Sequence, residues 1–171
     1  MPELPDIVLY LAALEPRIAG ATLESVRIAN PFLVRTVDPP VQALVGHRVT
    51  GLNRLGKRIV IALEPDLFAV VHLMIAGRLR WRARGAAIPG RIGLAAFDFP
   101  TGTLLVTEAG TTRRAALHVV RGAAALAALD PGGIDPLTAT ARGFRAALRR
   151  ENHTLKRALT DPRMLSGIGN A

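Results

Sequence analysis

From residue 22 to residue 110, short β-rich runs alternate with turn signals, and this rhythm limits the possible fold more than any other feature. The runs are TLESVRI, HRVTGLNRL, RIVIAL, LFAVVHLMI, RLRWRAR, IGLAAFDF and TLLVTE. Between them sit Pro39-Pro40, Glu64-Pro65-Asp66, Pro89-Gly90 and Pro100-Thr101-Gly102. Runs of this length are strands, and alternating side chains give a strand a face to bury. Many short strands with frequent turns satisfy that need by packing as a sandwich or a barrel.

Helical patterns flank this region. In residues 5–19, Ile7, Val8, Leu11, Leu14 and Ile18 recur at spacings of three and four, which predicts an amphipathic helix. Pro5 and Asp6 suit its first turn, Pro16 is expected to end or kink it, and Gly20 closes it. From about residue 115 the pattern again reads as helical, with a short helix ending at Asp130-Pro131-Gly132-Gly133. Beyond it, Leu137, Ala141, Phe144 and Leu148 form one stripe. Asn152 is placed to cap a helix carrying Leu155 and Leu159, and Thr160-Asp161-Pro162 starts a further turn. The expected class is α+β: a β-rich domain over residues 1–131 and a helical one over 132–171.

Charge points to a partner. Lys and Arg number 22 against 13 Asp and Glu, a net charge of +9. A biased genome explains Arg over Lys but not the excess over acids. Arg grips phosphate through a planar fork, so the excess fits nucleic acid. Cations cluster at Arg54, Lys57 and Arg58, at Arg78, Arg80, Arg82 and Arg84, and across residues 142–163. The second set alternates, which places it on one face of a strand. That face is either an edge defended by charge or a stripe facing phosphates. The chain has no cysteine, so disulfides and thiolate zinc sites are excluded, and the four histidines show no metal-ligand spacing. No apolar run approaches the roughly 18 residues needed to span a bilayer, and a cytoplasmic location without a membrane partner is expected.

The terminus MPELPDIV carries possible chemistry. With Met1 removed, Pro2 presents a secondary amine. An α-amino group has a pKa near 8, so part of it is neutral and nucleophilic at physiological pH. Such an amine attacks a carbonyl-like carbon to form an iminium, and Glu3 beside it is a candidate acid. Asp6, one turn on, is placed to fix or tune the pair. Plain helix initiation explains the same residues. The Gly-rich end SGIGNA is either a phosphate-binding turn or a helix cap.

Four segments in order then resemble the Fpg/Nei (formamidopyrimidine/endonuclease VIII) DNA glycosylase family. MPELPDI is similar to its PELPE opening, RLGKRIVIAL to its lysine-bearing strand, and HLMIAGRL to its HLGMSGxL segment. LKRALTDPRMLSGIGNA is similar to the first half of its helix–two-turn–helix module. The resemblance implies a two-layer β-sandwich flanked by helices, then a helical domain, with damaged double-stranded DNA between them. It implies a monomeric, bacterial, nucleoid-associated repair enzyme that removes oxidised bases and nicks the strand. By position, Pro2 is the nucleophile and Glu3 the acid, and Asp6 stands where the family has a second glutamate. Lys57 contacts the lesion strand, and Asn170 binds a phosphate with help from Lys156. His72, Ile75, Arg113 and Arg114 belong to the DNA-contacting segments. Ile75 aligns with the family's gap-filling methionine, with Met74 next door. The family's Asp-Pro-Arg-Arg-Phe loop is here AGTTRRAAL, with Ala115 in place of the aromatic.

The resemblance further implies that the family's zinc finger lies outside this chain, so no cofactor is expected within it. It implies weak or lost lesion cleavage for residues 1–171 and exposed apolar surface over 137–165. Two other readings remain open on the residues alone: a DNA-binding protein without catalysis, and a small N-terminal-proline tautomerase. The basic charge argues against the tautomerase.

Overall fold

The structure, a computed structural model, describes residues 2–170. Helix α1 spans Leu4–Ile18. The strands are β1 (Ser25–Ile28), β2 (Val49–Leu55), β3 (Arg58–Leu63), β4 (Leu67–His72), β5 (Gly77–Arg82), β6 (Gly93–Phe99), β7 (Gly102–Glu108) and β8 (Ala116–Arg121). Three short helices follow: α2 (Ala123–Ala127), α3 (Ala141–Leu148) and α4 (Leu155–Thr160). Two four-stranded antiparallel sheets form, ordered β1-β6-β7-β5 and β2-β3-β4-β8. The expected two-layer sandwich with flanking helices is therefore present.

The main core lies between the sheets. Phe97, Phe99, Leu104 and Val106 from one sheet meet Ile59, Ile61, Val71 and Val119 from the other, and α1 adds Ile7, Leu14 and Ile18. The second sheet is covered on its outer face as well, where Val60, Val70 and Val120 pack with Leu126 and Leu129. Burial on both faces is why RIVIAL is a continuous apolar run rather than an alternating one. The first sheet's outer side holds a polar knot. Asp98 accepts bonds from Ser25 (2.7 Å), from Arg27 Nε (2.7 Å) and Nη2 (2.8 Å), and from Thr103 (2.6 Å). Gly85 N–H donates to Thr103, and Arg27 donates to the Ala86 carbonyl, so the same knot pins the segment after β5.

Several local expectations need correction. Residues 116–121 form β8, not a helix, because they pair along β4 from Leu67↔Arg121 to His72↔Ala116. Tertiary pairing here overrides the pull of the alanine-rich sequence that follows. Pro16 lies inside the last turn of α1, which runs on two residues past it and ends at Ile18. Val8 is 46% exposed, so the buried stripe of α1 is Leu4, Ile7, Leu14 and Ile18. Thr154, not Asn152, caps α4 by accepting the Arg157 N–H, and Leu137 lies before α3, which Thr140 caps. The alternation holds for Arg78, Arg80 and Arg82, which are exposed while Leu79 is buried, but Arg84 lies beyond the end of β5 and pairs with Glu24 instead of extending the stripe. Among the described residues β5 pairs only with β7, so these arginines stand on an edge strand.

The segment after α2 folds back onto the sandwich. Ile134 N–H donates to the Met164 carbonyl and Ser166 N–H to the Ile134 carbonyl. Gly133 permits this approach, since a Cβ there would lie 2.4 Å from the Pro162 oxygen. Ala147, Ala158, Met164 and Leu165 form a small separate core.

Candidate nucleic-acid interface and active site

A cavity of about 230 Å³ opens where five remote segments meet, one of them contributing only Pro131. Pro2 comes from the terminus, Gly56, Lys57 and Arg58 from the β2–β3 turn, and His72 and Met74 from the end of β4 and the turn after it. Ser166, Gly167 and Ile168 come from the end of the chain. Glycines make the approach possible. Gly167 has φ +91°, and a Cβ there would lie 3.2 Å from the Leu4 side chain. Gly56 has φ +60°, and its Cβ would lie 3.1 Å from Ser166 Oγ. Both positions exact a conformation that side chains resist.

Pro2 is buried. Glu3 caps α1 from outside, and its N–H donates to Asp6 Oδ2 at 2.8 Å. Asp6 thus fixes the backbone that joins Pro2 and Glu3, and its carboxylate is engaged in the capping arrangement. Glu3 Oε2 lies 3.6 Å from Lys57 Nζ, with side chains 22% and 19% exposed. The other Glu3 oxygen is buried and has no hydrogen-bond partner. A buried unpaired acceptor is uncommon in folded proteins. On the far side of Pro2 a smaller polar pocket is lined by Asp6, Tyr10 and Arg78.

Electrostatics around the cavity are set by burial and by cations. The His72 pKa is held at about 4, first by burial and then by Arg58, Lys57 and His118. His118, nearby, is lowered by burial and by Arg58 and Arg35. Burial also lowers Arg58. Met74 adopts φ 54°, the only positive φ at a non-glycine among the described residues.

With Met1 removed, such an arrangement can host attack by the Pro2 amine on an electrophilic carbon, with a carboxyl group and a cation alongside. Residues 1–123 match the family model described as formamidopyrimidine-DNA glycosylase N-terminal domain. The chain belongs to the formamidopyrimidine-DNA glycosylase family. It is 34% identical over 181 residues to the formamidopyrimidine-DNA glycosylase of Variovorax paradoxus, covering 99% of this chain and 63% of that protein. The Mycolicibacterium paratuberculosis protein of the same name is 33% identical, with 99% and 63% covered. This chain thus spans less than two thirds of the length of these relatives. Its fold matches the Lactococcus lactis formamidopyrimidine-DNA glycosylase bound to DNA containing an abasic site, with TM-score 0.84 and 22% identity over 99% of this chain and 66% of that one. It also matches MutM in complex with DNA containing carbocyclic 8-oxo-G, with TM-score 0.86 and 23% identity over 99% and 64%.

Within this glycosylase-family fold, the expected site residues divide into two groups. Pro2, Lys57 and His72 line the cavity, with Glu3 and Asp6 next to it. Ile75, Arg113, Arg114, Lys156 and Asn170 are all exposed and do not line it. Met74, not Ile75, faces the cavity, while Ile75 is 53% exposed at the turn. Two of the three cations at 54–58 serve the protein itself: Arg54 pairs with Asp135, and Arg58 donates to the Leu129 carbonyl. Sequence reading missed Gly56, Met74, Pro131 and Ser166 as cavity residues. A glycine between two strands was the one available signal for Gly56. Among the described residues no group of His, Asp and Glu is placed to hold a metal, and without cysteines the chain has no ligands for a four-cysteine zinc site. No described helix is long and apolar enough to cross a membrane.

Proposed function

We propose that this protein is a DNA glycosylase with associated abasic-site lyase activity, acting on oxidised or otherwise damaged bases in double-stranded DNA. The observation that carries this reading is the meeting of buried Pro2 with Lys57 in one cavity, with Glu3 beside it 3.6 Å from Lys57, built from all four segments that resemble the family. Residues 1–131 are the catalytic domain, and 132–171 form part of a helical DNA-binding domain.

The chemistry follows from the groups present. With Met1 removed, the Pro2 nitrogen attacks C1′ of the damaged nucleotide, and the C1′–N bond to the base breaks. The proton that the Pro2 nitrogen loses on attack passes to Glu3, whose second oxygen lacks a partner, and from Glu3 to the sugar ring oxygen as it leaves C1′, while the departing base takes its proton from solvent. The product is an iminium between Pro2 and the opened sugar. Loss of a C2′ proton then expels the 3′ phosphate and nicks the strand. The nucleotide must be turned out of the helix to reach the amine. Lys57 and His72 contact the lesion strand at the cavity, and Asn170 with Lys156 holds a neighbouring phosphate. Ile75 enters the gap left in the duplex, with Arg113 and Arg114 beside it. Asp6 acts on the pair through the Glu3 backbone.

Borohydride trapping on abasic duplex tests this reading. A covalent adduct is expected for the wild-type chain and none for a Pro2→Gly variant that still binds DNA. Equal trapping by both removes Pro2 as nucleophile. Ala115, which is buried where the family has an aromatic, favours a second reading confined to abasic sites. A panel of lesions in the same assay separates the two.

A further inference from the structure

The loop between β7 and β8 crosses from one sheet to the other, and a buried carboxylate closes its mouth. Glu108 ends β7 and is 1% exposed. Both of its oxygens accept the Arg114 N–H at 3.0 Å, and Oε2 also accepts the Ala115 N–H at 3.0 Å. Its own N–H donates to the Ile92 carbonyl at 2.8 Å. No side-chain cation pairs with it among the described residues. A carboxylate is acceptor-only, and its bonds to backbone N–H groups are charge-assisted and directional. Burying one is costly, so it persists where the fixed geometry matters.

What it fixes is the pair Arg113-Arg114. Both are exposed, and Ala115 directly behind them is buried. The Arg113 guanidinium donates to the Arg91 carbonyl at 2.6 Å. Glu108 pairs across the sheet with Gly77, and the turn just before Gly77 supplies Met74 to the cavity wall. The stapled loop therefore stands at the cavity end of the sandwich. We propose that Glu108 is a positioning residue: it holds residues 109–115 so that Arg113 and Arg114 meet the DNA phosphates as a preset fork. The clamp takes the place of the order that a longer or freer loop would have to gain on binding. This rests on the DNA-binding reading above.

Two measurements test it. Glu108→Gln keeps the shape but sets an NH2 against an N–H donor. Trypsin cleavage after Arg113 and Arg114 should then be roughly tenfold faster, while other sites are cut at the wild-type rate. Binding to abasic duplex is measured from low to moderate salt. Each phosphate that the protein no longer neutralises lowers the slope of log affinity against log salt by about 0.9, so the variant should be shallower by roughly 0.9 to 1.8. The Arg113→Ala/Arg114→Ala double variant should show the same reduced slope. Glu108→Asp, with a shorter arm and the charge retained, should fall between, and it carries the test if Glu108→Gln does not fold. An unchanged slope in the Glu108 variants, or a loop no more open to trypsin, overturns the proposal. An unchanged slope in the double arginine variant overturns it while leaving borohydride trapping by Pro2 intact. Failure of trapping with the slope change present rejects the nucleophile alone.

Discussion

His72 offers a direct reading of how dry and how cationic the cavity is. It ends β4 and lines the cavity beside Lys57 and Arg58. Its pKa is about 4 in the folded protein against an ordinary 6.5, because burial and the neighbouring cations disfavour the imidazolium. The unfolded chain therefore binds this proton more tightly than the folded one. The stability contributed is fully present above pH 6.5 and is lost progressively as the pH falls toward 4. A shift of that size has an upper limit of about 3 kcal/mol. The ring is only partly buried, so screening reduces the expected loss to about 2 kcal/mol. For a chain of this length that corresponds to roughly 4–8 °C in Tm. Thermal unfolding of wild type and His72→Gln should be compared at pH 7.5, 6.5, 5.5 and 4.5. Taking the difference between the two proteins removes the carboxylates and the other histidines from the comparison. The wild type should lose that increment relative to the variant between pH 6.5 and 4.5. Parallel curves, or an NMR titration of His72 with a midpoint above 6, would refute the picture of a desolvated cationic cavity.

Asp98→Asn should cost about 2 kcal/mol at pH 7, because a largely buried carboxylate with four donated bonds loses its charge. Arg27 and its partners hold the Asp98 carboxyl well below the usual range. Its stabilisation is therefore present above about pH 4 and is lost as the pH falls toward the folded pKa, so acid unfolding of the variant should be correspondingly shallower. Met74→Gly should leave Tm within the equivalent of about 1 kcal/mol, since relief of the left-handed backbone at φ 54° offsets the lost side chain; a loss above about 3 kcal/mol would show that the side chain is worth more than this. Gly77→Ala should cost at least about 3 kcal/mol and abolish trapping, because its Cβ would lie 2.3 Å from the Leu73 carbonyl and force the cavity turn to move; wild-type melting and trapping would count against this role for the turn.

The sandwich was legible because its signals are local. RIVIAL over 58–63 is bounded by a glycine and a proline turn, and β3 has those bounds. Strand β8 was not legible, because ALHVVR runs into GAAALAAL and only pairing with β4 distinguishes the two. The cavity is a different kind of object. No periodicity connects Pro2 with Gly167, and what brings them together is Leu4 packing on a residue with no side chain. Only the ordered resemblance to a family groups these segments at the level of sequence. Glu108 gave no signal at all: at the end of an apolar strand it reads as an ordinary solvated acid, and only its burial reveals the staple.

Charge counting also changes meaning once the fold is known. The +9 excess suggested a broad nucleic-acid footprint. Arg27 and Arg84 are tied to Asp98 and Glu24, and Arg54 and Arg58 bind the segment after α2. These cations build the protein, and they add little to counterion release on binding. The turn at 54–58 leaves Lys57 facing the cavity, and Lys57 is paired with Glu3. By contrast Arg142, Arg145, Arg149, Arg150, Lys156 and Arg157 are all exposed in the helical segment. Electrostatic attraction to a polyanion is thus available from the helical tail, the 113–114 loop and the exposed arginines of β5, while the cavity itself carries cations already committed to a carboxylate or a carbonyl. On the proposed function, such a division separates affinity from chemistry. Neutralising the tail should reduce binding and its salt dependence without altering the single-turnover rate of trapping at saturating DNA, whereas removing Lys57 should act on that rate.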